Sequence, residues 1–321
     1  MKLIIQIPCY NEEATLPKTL LALPKSVSGF DCVEVLIVDD GSEDGTVAVA
    51  RKYGVDHIVL LREHKGLAKA FIDGVEACLS LGADVIVNTD ADNQYNAEDI
   101  PDLLAPILEG KADFVIGTRP IQSIENFSWL KKVLQRLGSW LVRTASQTAV
   151  IDAPSGFRAF NREAAMRLNV FYSYSYTLET LIQAGHAGFT TVSVPIRVND
   201  EQRPSRLASS LFSYVQKSAF TIICAYAVYN PLKFFLGVAV IFFSLGFILS
   251  LRFLYFFLTG DGDGHVQSVV LSVFLMGVGF NFAMMAILAE LISVNRQLLE
   301  KLSYHRQLTK TSLKSTSSTA S

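Results

Sequence analysis

Residues 33–53 read VEVLIVDDGSEDGTVAVARKY. Val33–Val38 is a short apolar run rich in β-branched side chains, the composition of a buried strand. From Thr46 to Tyr53 the apolar residues return at helical spacing, and Ser42 and Thr46 are placed to cap that helix. Asp39, Asp40 and the glycines that follow them, Gly41 and Gly45, are turn formers, so the stretch is one strand–turn–helix unit. The same alternation extends both ways. Strands are expected at Leu3–Ile7, Val33–Val38, His57–Leu61, Asp84–Thr89 and Phe114–Gly117, and helices at Thr15–Leu23, Thr46–Tyr53, Leu67–Leu81 and Ala97–Leu108. Continuous apolar strands separated by helices predict an α/β domain with a mostly parallel sheet covered on both faces. In such a sheet, ligands collect beyond the carboxyl ends of the strands.

The chemistry-bearing residues follow the strands in that way. Strand one ends in PCYNEE (8–13), strand two in DDGSEDGT (39–46), strand four in DADNQ (90–94) and strand five in GTR (117–119). GSEDG is neither GxGxxG nor GxxxxGK[ST], which excludes the dinucleotide-binding and P-loop readings. Asp90 and Asp92 can converge once the strand breaks into its loop. Two carboxylates beside a diphosphate repel unless a divalent cation lies between them, and hard oxygen donors suit Mg²⁺ or Mn²⁺. Gln94 could add a neutral oxygen. Asp39 is expected to accept a hydrogen bond from the imide N–H of a uracil or the amino edge of a guanine, with Asp40 steering the loop or the ribose.

Half of the residues are hydrophobic and only 18% are charged, giving a mean hydropathy of +0.33. The excess lies in two uncharged runs, Phe234–Leu251 and Val266–Ala289. Either run approaches or exceeds the roughly 20 residues that span a hydrocarbon core, so a transmembrane hairpin is expected. Its connection carries Asp261 and Asp263, whereas Arg296, Lys301, Arg306, Lys310 and Lys314 follow the second run. The positive-inside bias then puts the catalytic domain and both termini on the cytoplasmic side of the inner membrane. Leu207–Tyr229 is amphipathic and suited to the headgroup plane. Lys131, Lys132 and Arg136 lie in NFSWLKKVLQRLGSWLV (126–142), a basic, tryptophan-bearing stretch that fits anionic headgroups.

The expected division is a 1–205 cytosolic domain, a 206–230 juxtamembrane region, a 231–292 hairpin and a 293–321 basic tail that is partly disordered at its Ser/Thr-rich end. With 28 Lys and Arg against 30 Asp and Glu, no global basic field argues for a nucleic-acid partner. The four cysteines form no metal-spaced cluster, and the apolar opening stops at Ile7, unlike a secretory signal. The five histidines are scattered and read as structural or surface residues.

Taken in order, PCYNEE, DDGSEDGT, DADNQ, GTR and the later SGFR (155–158) resemble glycosyltransferase family 2, built on the nucleotide-binding fold called GT-A. More narrowly, the chain is similar to polyprenyl-phosphate sugar transferases, the dolichyl-phosphate mannose synthase group and its bacterial relatives with a C-terminal membrane hairpin. The resemblance implies a nucleoside pocket of Pro8, Tyr10, Glu12 and Asp39, and a metal and diphosphate motif of Asp90, Asp92 and Gln94. It also implies Arg119 at a phosphate, Asp152 and Arg158 beneath the sugar, and Arg203 and Arg206 in a late basic motif. There this chain has RPSR where relatives often have Gly and Lys. Lys131 and Arg136 join Arg119, Arg203 and Arg206 as candidates for the acceptor phosphate. Members of the group often assemble as homotetramers.

The expected reaction is inverting displacement at the anomeric carbon of a UDP- or GDP-linked sugar by the phosphate of a polyprenyl phosphate. A phosphate whose second pKa is near 6 is already ionised at neutral pH, so no strong general base is required. A hydroxyl acceptor would instead need a carboxylate base, for which Asp152 and Glu179 are the candidates. A catalytically inactive nucleotide-sugar scaffold would require damage to the acid pair or the arginines, and both are intact.

Overall fold

The computed structural model describes residues 1–120, 150–168, 176–199, 220, 223–224, 226–260 and 265–318. Their strands are β1 (Lys2–Cys9), β2 (Cys32–Asp39), β3 (His57–Leu60), β4 (Val85–Asn88), β5 (Phe114–Thr118), β6 (Arg158–Asn161) and β7 (Thr191–Pro195). The helices are α1 (Leu16–Ala22), α2 (Thr46–Lys52), α3 (Leu67–Ser80), α4 (Ile100–Leu108), α5 (Arg162–Arg167), α6 (Tyr176–His186), α7 (Pro231–Leu258) and α8 (Val266–Ser318). The first five strands and the first four helices fall where the apolar periodicity put them. Contacts divide the chain into two compact units, Met1–Ile222 with Tyr304–Ser321, and Ile223–Ser303.

In the first unit one sheet runs in the order β3-β2-β1-β4-β6-β5-β7. Strand β1 is central, and its side chains alternate between the two faces as a pleated strand requires. Leu3, Ile5, Ile7 and Cys9 join Leu16, Leu103, Leu104 and Phe157 in one buried cluster. Gln6 points the other way, toward α3, and donates to the Phe71 carbonyl at 3.4 Å. Helix α3 lies close on that face because Gly74 has no side chain: a Cβ there would fall 2.7 Å from Gln6 Oε1 and 2.8 Å from Val38 Cγ2.

The sheet is mixed, with β6 antiparallel to both β4 and β5. Neither β6 nor β7 was anticipated from periodicity. Strand β6 is only RAFN and carries an arginine, so it offers no apolar run to recognise. Its direction matters for function. Because β6 runs backwards, its first residue, Arg158, pairs with Asn88 at the end of β4 and with Ile116 in β5. The preceding SGFR turn is thereby delivered to the same rim as DADNQ and GTR.

The second unit is an antiparallel pair of long apolar helices. Helix α7 has 28 residues, and the apolar part of α8, Val266–Leu299, has 34; at 1.5 Å per residue each is longer than a hydrocarbon core. Small residues line their contact. Ser272 Oγ lies 2.7 Å from the Gly246 carbonyl oxygen, a Cβ on Gly279 would meet the Ala239 carbonyl at 3.1 Å, and Ala239 and Ala286 are buried. Ser272, Gly279, Ala286 and Ser293 recur every seventh residue on α8, all buried, which lets two backbones approach closely. Helix α8 continues to Ser318. No Pro or Gly follows Gly279 to stop it.

Candidate active site

At the ends of β1 and β2 the two loops interlock through polar contacts. The Asn11 amide donates to Ser42 Oγ at 2.9 Å and the Glu12 amide to Thr46 Oγ1 at 2.8 Å, while Glu43 N returns a bond to Asn11 Oδ1 at 2.9 Å. Glu12 is buried and its carboxylate accepts from Thr15 Oγ1 at 2.6 Å. Pro8 is buried within β1, and Tyr10 emerges beyond it. Asp39 is 4% exposed. Its Oδ2 accepts from the Ser42 amide at 3.2 Å, and its Oδ1 is buried with no partner. A buried carboxylate oxygen without a donor is costly, and the open oxygen is suited to a ligand N–H. Asp40 holds the next loop instead: its oxygens accept from the Lys65 and Gly66 amides, each at 2.8 Å, and from His64 Nδ1 at 2.9 Å. His64 in turn stacks on Tyr10 at 3.8 Å between ring centroids, a partnership the scattered histidines did not announce. Gly41 is required in this turn, because at φ +71° a Cβ would meet the backbone of Glu63 and His64 at 2.8 Å.

The acidic turn after β4 is held from several sides. Thr19 Oγ1 donates to the Ala91 carbonyl at 2.8 Å, and the Gln94 amide donates to Asp92 Oδ1 at 3.1 Å. Asn199 donates its amide to the Gln94 carbonyl at 2.9 Å and its side chain to the Asn93 carbonyl at 2.9 Å. Arg197, forked onto Asp99 at 2.8 and 2.6 Å, secures that second segment. Burial, and after it the negative charge of Asp92, push the Asp90 carboxyl up to about 7, against the opposing pull of Arg119, the Tyr95 hydroxyl and Arg158. Burial and the neighbouring charge thus oppose ionisation of Asp90 as it stands. Among the described residues no group of three or more His, Cys, Asp or Glu side chains is arranged to hold a metal.

Across the rim, Arg119 and Asp152 form a fork-to-fork pair, with Nε–Oδ2 2.7 Å and Nη2–Oδ1 2.9 Å; the Arg119 amide adds a third bond at 3.2 Å. Asp152 is fully buried, whereas the Arg119 side chain keeps 16% exposure. Asp152 thus aims the arginine rather than facing the rim itself. Arg158, expected beneath the sugar, lies deeper still. It is fully buried and donates to the carbonyls of Ser155 and Ala153 and to Thr180 Oγ1, each at 2.7 Å. Burial lowers its pKa to about 10, which leaves it cationic at neutral pH. Its bonds brace the 153–155 turn beneath the rim. Glu179 is fully buried in α6. Lys131, Arg136, Arg203 and Arg206 lie outside the described residues.

The rim also contains groups that the motifs did not mark. Asn88 links Gln6 Nε2, at 2.9 Å, to the Gly156 carbonyl at 2.8 Å and the Tyr176 hydroxyl at 3.2 Å. Tyr95, directly after DADNQ, accepts from the Gly156 amide at 2.9 Å. Position beside an acidic turn was the one sequence signal for Tyr95. For Asn88 and Tyr176 there was none, because their meeting depends on the reversed β6.

Comparison with known proteins agrees with this geometry. Residues 4–168 match the family model for glycosyl transferase family 2. The polyprenol monophosphomannose synthase of Mycolicibacterium smegmatis is 29% identical over 210 residues, 62% of this chain and 78% of that protein. The undecaprenyl-phosphate mannosyltransferase of Micrococcus luteus is 32% identical over 206 residues, 61% and 83% of the two chains. Among solved structures, glucosyl-3-phosphoglycerate synthase of Mycobacterium tuberculosis, crystallised with Mn²⁺, UDP-glucose and phosphoglyceric acid, superposes with a TM-score of 0.56 at 20% identity, covering 70% of this chain and 80% of that one. With a mixed α/β sheet of the GT-A kind and the acidic and basic turns gathered on one rim, the chain is a glycosyltransferase and belongs to glycosyl transferase family 2.

Proposed function

We propose that the chain moves a sugar from a UDP- or GDP-linked donor to a polyprenyl phosphate, with inversion, at the cytoplasmic face of a membrane that α7 and α8 span. One observation carries the choice of acceptor. The two carboxylates that could deprotonate a hydroxyl, Asp152 and Glu179, are both fully buried, while the partly exposed Arg119 shares a rim with Asp90 and Asp92. Among the described residues, a rim that offers the Arg119 cation while both candidate bases are buried suits a nucleophile that arrives ionised. The names of the two mannosyltransferase relatives point the same way.

In this reading Tyr10 and Glu12 shape the nucleoside pocket and the open Asp39 oxygen accepts the base N–H. Asp90 and Asp92 would hold Mg²⁺ or Mn²⁺, with Gln94 as a further oxygen donor, and the ion when bound supplies charge neutralisation to the departing diphosphate. The mutual repulsion of the acid pair supports that fit. Arg119, kept extended by Asp152, meets a donor or acceptor phosphate. Outward-facing Val240, Ile241, Phe247 and Ile248 on α7 and Val273, Phe274 and Ile287 on α8 suit contact with lipid.

The test offers UDP- and GDP-linked sugars, radiolabelled, with undecaprenyl phosphate and Mn²⁺ to the purified full chain. Label is expected in the organic phase, released by mild acid as a glycosyl phosphate is and suppressed by EDTA. Acid-stable label in a glycolipid would establish the hydroxyl acceptor instead, and no metal-dependent donor consumption would establish the scaffold. Because Asp90 titrates near 7, protons compete with the ion below that value. The Mn²⁺ concentration for half-maximal rate is therefore expected to rise as pH falls from 8 to 6; a constant requirement would remove Asp90 from the ion's ligands.

A further inference from the structure

Three strand ends converge beside Tyr10. The Asp40 amide donates to the Cys9 carbonyl at 2.8 Å and the Leu61 amide to the Asp39 carbonyl at 2.9 Å, so the exits of β1, β2 and β3 lie side by side. The segment beyond β3 is fastened to one carboxylate. Asp40, almost fully buried, accepts from the Lys65 amide at Oδ1 and the Gly66 amide at Oδ2, each at 2.8 Å, and from His64 Nδ1 at 2.9 Å. A carboxylate only accepts, so Nδ1 carries the hydrogen and the imidazole is held by its edge. The flat of that ring lies against Tyr10, with centroids 3.8 Å apart and planes 24° from parallel, yet half of the His64 side chain is exposed. A ring this open adds little to the fold by burial, although Asp40 commits three bonds to holding it and its loop. On the adjoining residue, the buried Asp39 Oδ1 has no partner among the described residues.

We propose that His64 is a positioning residue for the donor's nucleoside: it backs the Tyr10 ring, so that Tyr10 presents its opposite face in a fixed plane to a base whose N–H goes to Asp39. The inference rests on the nucleoside reading above and adds to it the β3–α3 loop as a third wall, which no motif of the chain marked. Asp40 acquires a definite task there, since it sets where the His64 ring stands. An aromatic side chain that is already stacked has less freedom to lose when a base arrives, and the ordering cost avoided appears as affinity. The effect is confined to ligands that carry a base. Bare pyrophosphate has no ring to stack and gains nothing from it.

His64→Ala removes the backing, and His64→Phe restores a flat ring without the bond to Asp40. Binding of UDP, GDP and inorganic pyrophosphate to the full chain with Mg²⁺ is read by titration calorimetry, independently of turnover. The Ala variant is expected to bind the nucleotide that the wild type prefers about 3- to 10-fold more weakly, the range of one aromatic stack. Its pyrophosphate affinity and melting temperature are expected to stay close to wild type, and its donor KM to rise by a similar factor with kcat little changed. The Phe variant is expected to recover part of the lost affinity. An Ala variant that binds nucleotide as the wild type does, a Phe variant no better than Ala, or an equal loss for pyrophosphate overturns the proposal. So does a collapse of the melting temperature in both variants, since His64 would then serve the fold alone. If the wild type binds neither nucleotide more tightly than pyrophosphate, the nucleoside reading itself fails. If the wild type prefers a nucleotide and the His64 variants match it, only the role of His64 fails.

Discussion

Asp90→Asn is expected to reduce metal-dependent sugar transfer by about 10³-fold or more while raising the melting temperature of the metal-free protein. Both effects come from one cause. Asp90 is held where burial and the Asp92 charge oppose its ionisation, and its carboxyl is pushed up to about 7 from an ordinary value of about 3.9. A folded-state pKa above the unfolded one means that the folded chain binds a proton more readily, so ionisation costs stability. That cost is absent below about pH 4, grows between the two pKa values and is complete above 7. For a half-buried group it amounts to about 1–3 kcal/mol, or a few degrees in a chain of this size. Asparagine keeps the shape and carries no charge. The gain is therefore expected at pH 7.5 in EDTA and absent at pH 4; thermal unfolding that shows equal gains at both values, or none, would contradict it. Stability surrendered where an ion must bind is a common feature of active sites.

Asp152→Ala is expected to be the most damaging single change in the sheet domain, destabilising it by about 3–5 kcal/mol, because it removes the buried carboxylate that forks onto the Arg119 guanidinium. Arg119→Ala removes the guanidinium half of the same pair and leaves the fully buried Asp152 carboxylate with the backbone amide of residue 119. The double variant removes both charges and is expected to cost markedly less than the sum of the singles, a coupling that chemical denaturation of the four proteins measures directly. Activity separates aiming from acid–base chemistry. Asp152→Asn keeps the shape but weakens the fork, so on the proposed reading it lowers the rate about 10²- to 10³-fold and leaves the pH profile in place. Loss of the acidic limb of that profile would make Asp152 a base and favour the hydroxyl acceptor.

The parts of the molecule readable from the chain were those with a local cause. Short apolar runs such as Leu3–Ile7, alternating with helical patterns, read as buried strands of a sheet covered on both faces. The acidic and basic turns follow them by position alone. Helices α7 and α8 declare themselves by length and lack of charge. Two features had no local cause. Strand β6 is four residues with a buried cation at its head, and its reversal depends on the gap between β4 and β5. The resemblance put Asp152 and Arg158 beneath the sugar; only the structure shows that both are buried, with Arg158 bracing the 153–155 turn and Asp152 paired with Arg119.

The order of residues by itself determined the βα alternation, the rim where ligands gather and the long apolar pair, because hydrophobic period and turn chemistry act over a few residues. Tertiary structure alone decided which polar groups face outward from that rim. Asp39 keeps an open oxygen while Asp40 is consumed by a loop, and the Tyr95 hydroxyl finds a donor only because the Gly156 amide arrives from a segment distant in sequence. Whether a charge is spent on the fold or left for a ligand depends on partners that are remote in sequence, and only the packed chain brings them within hydrogen-bonding distance.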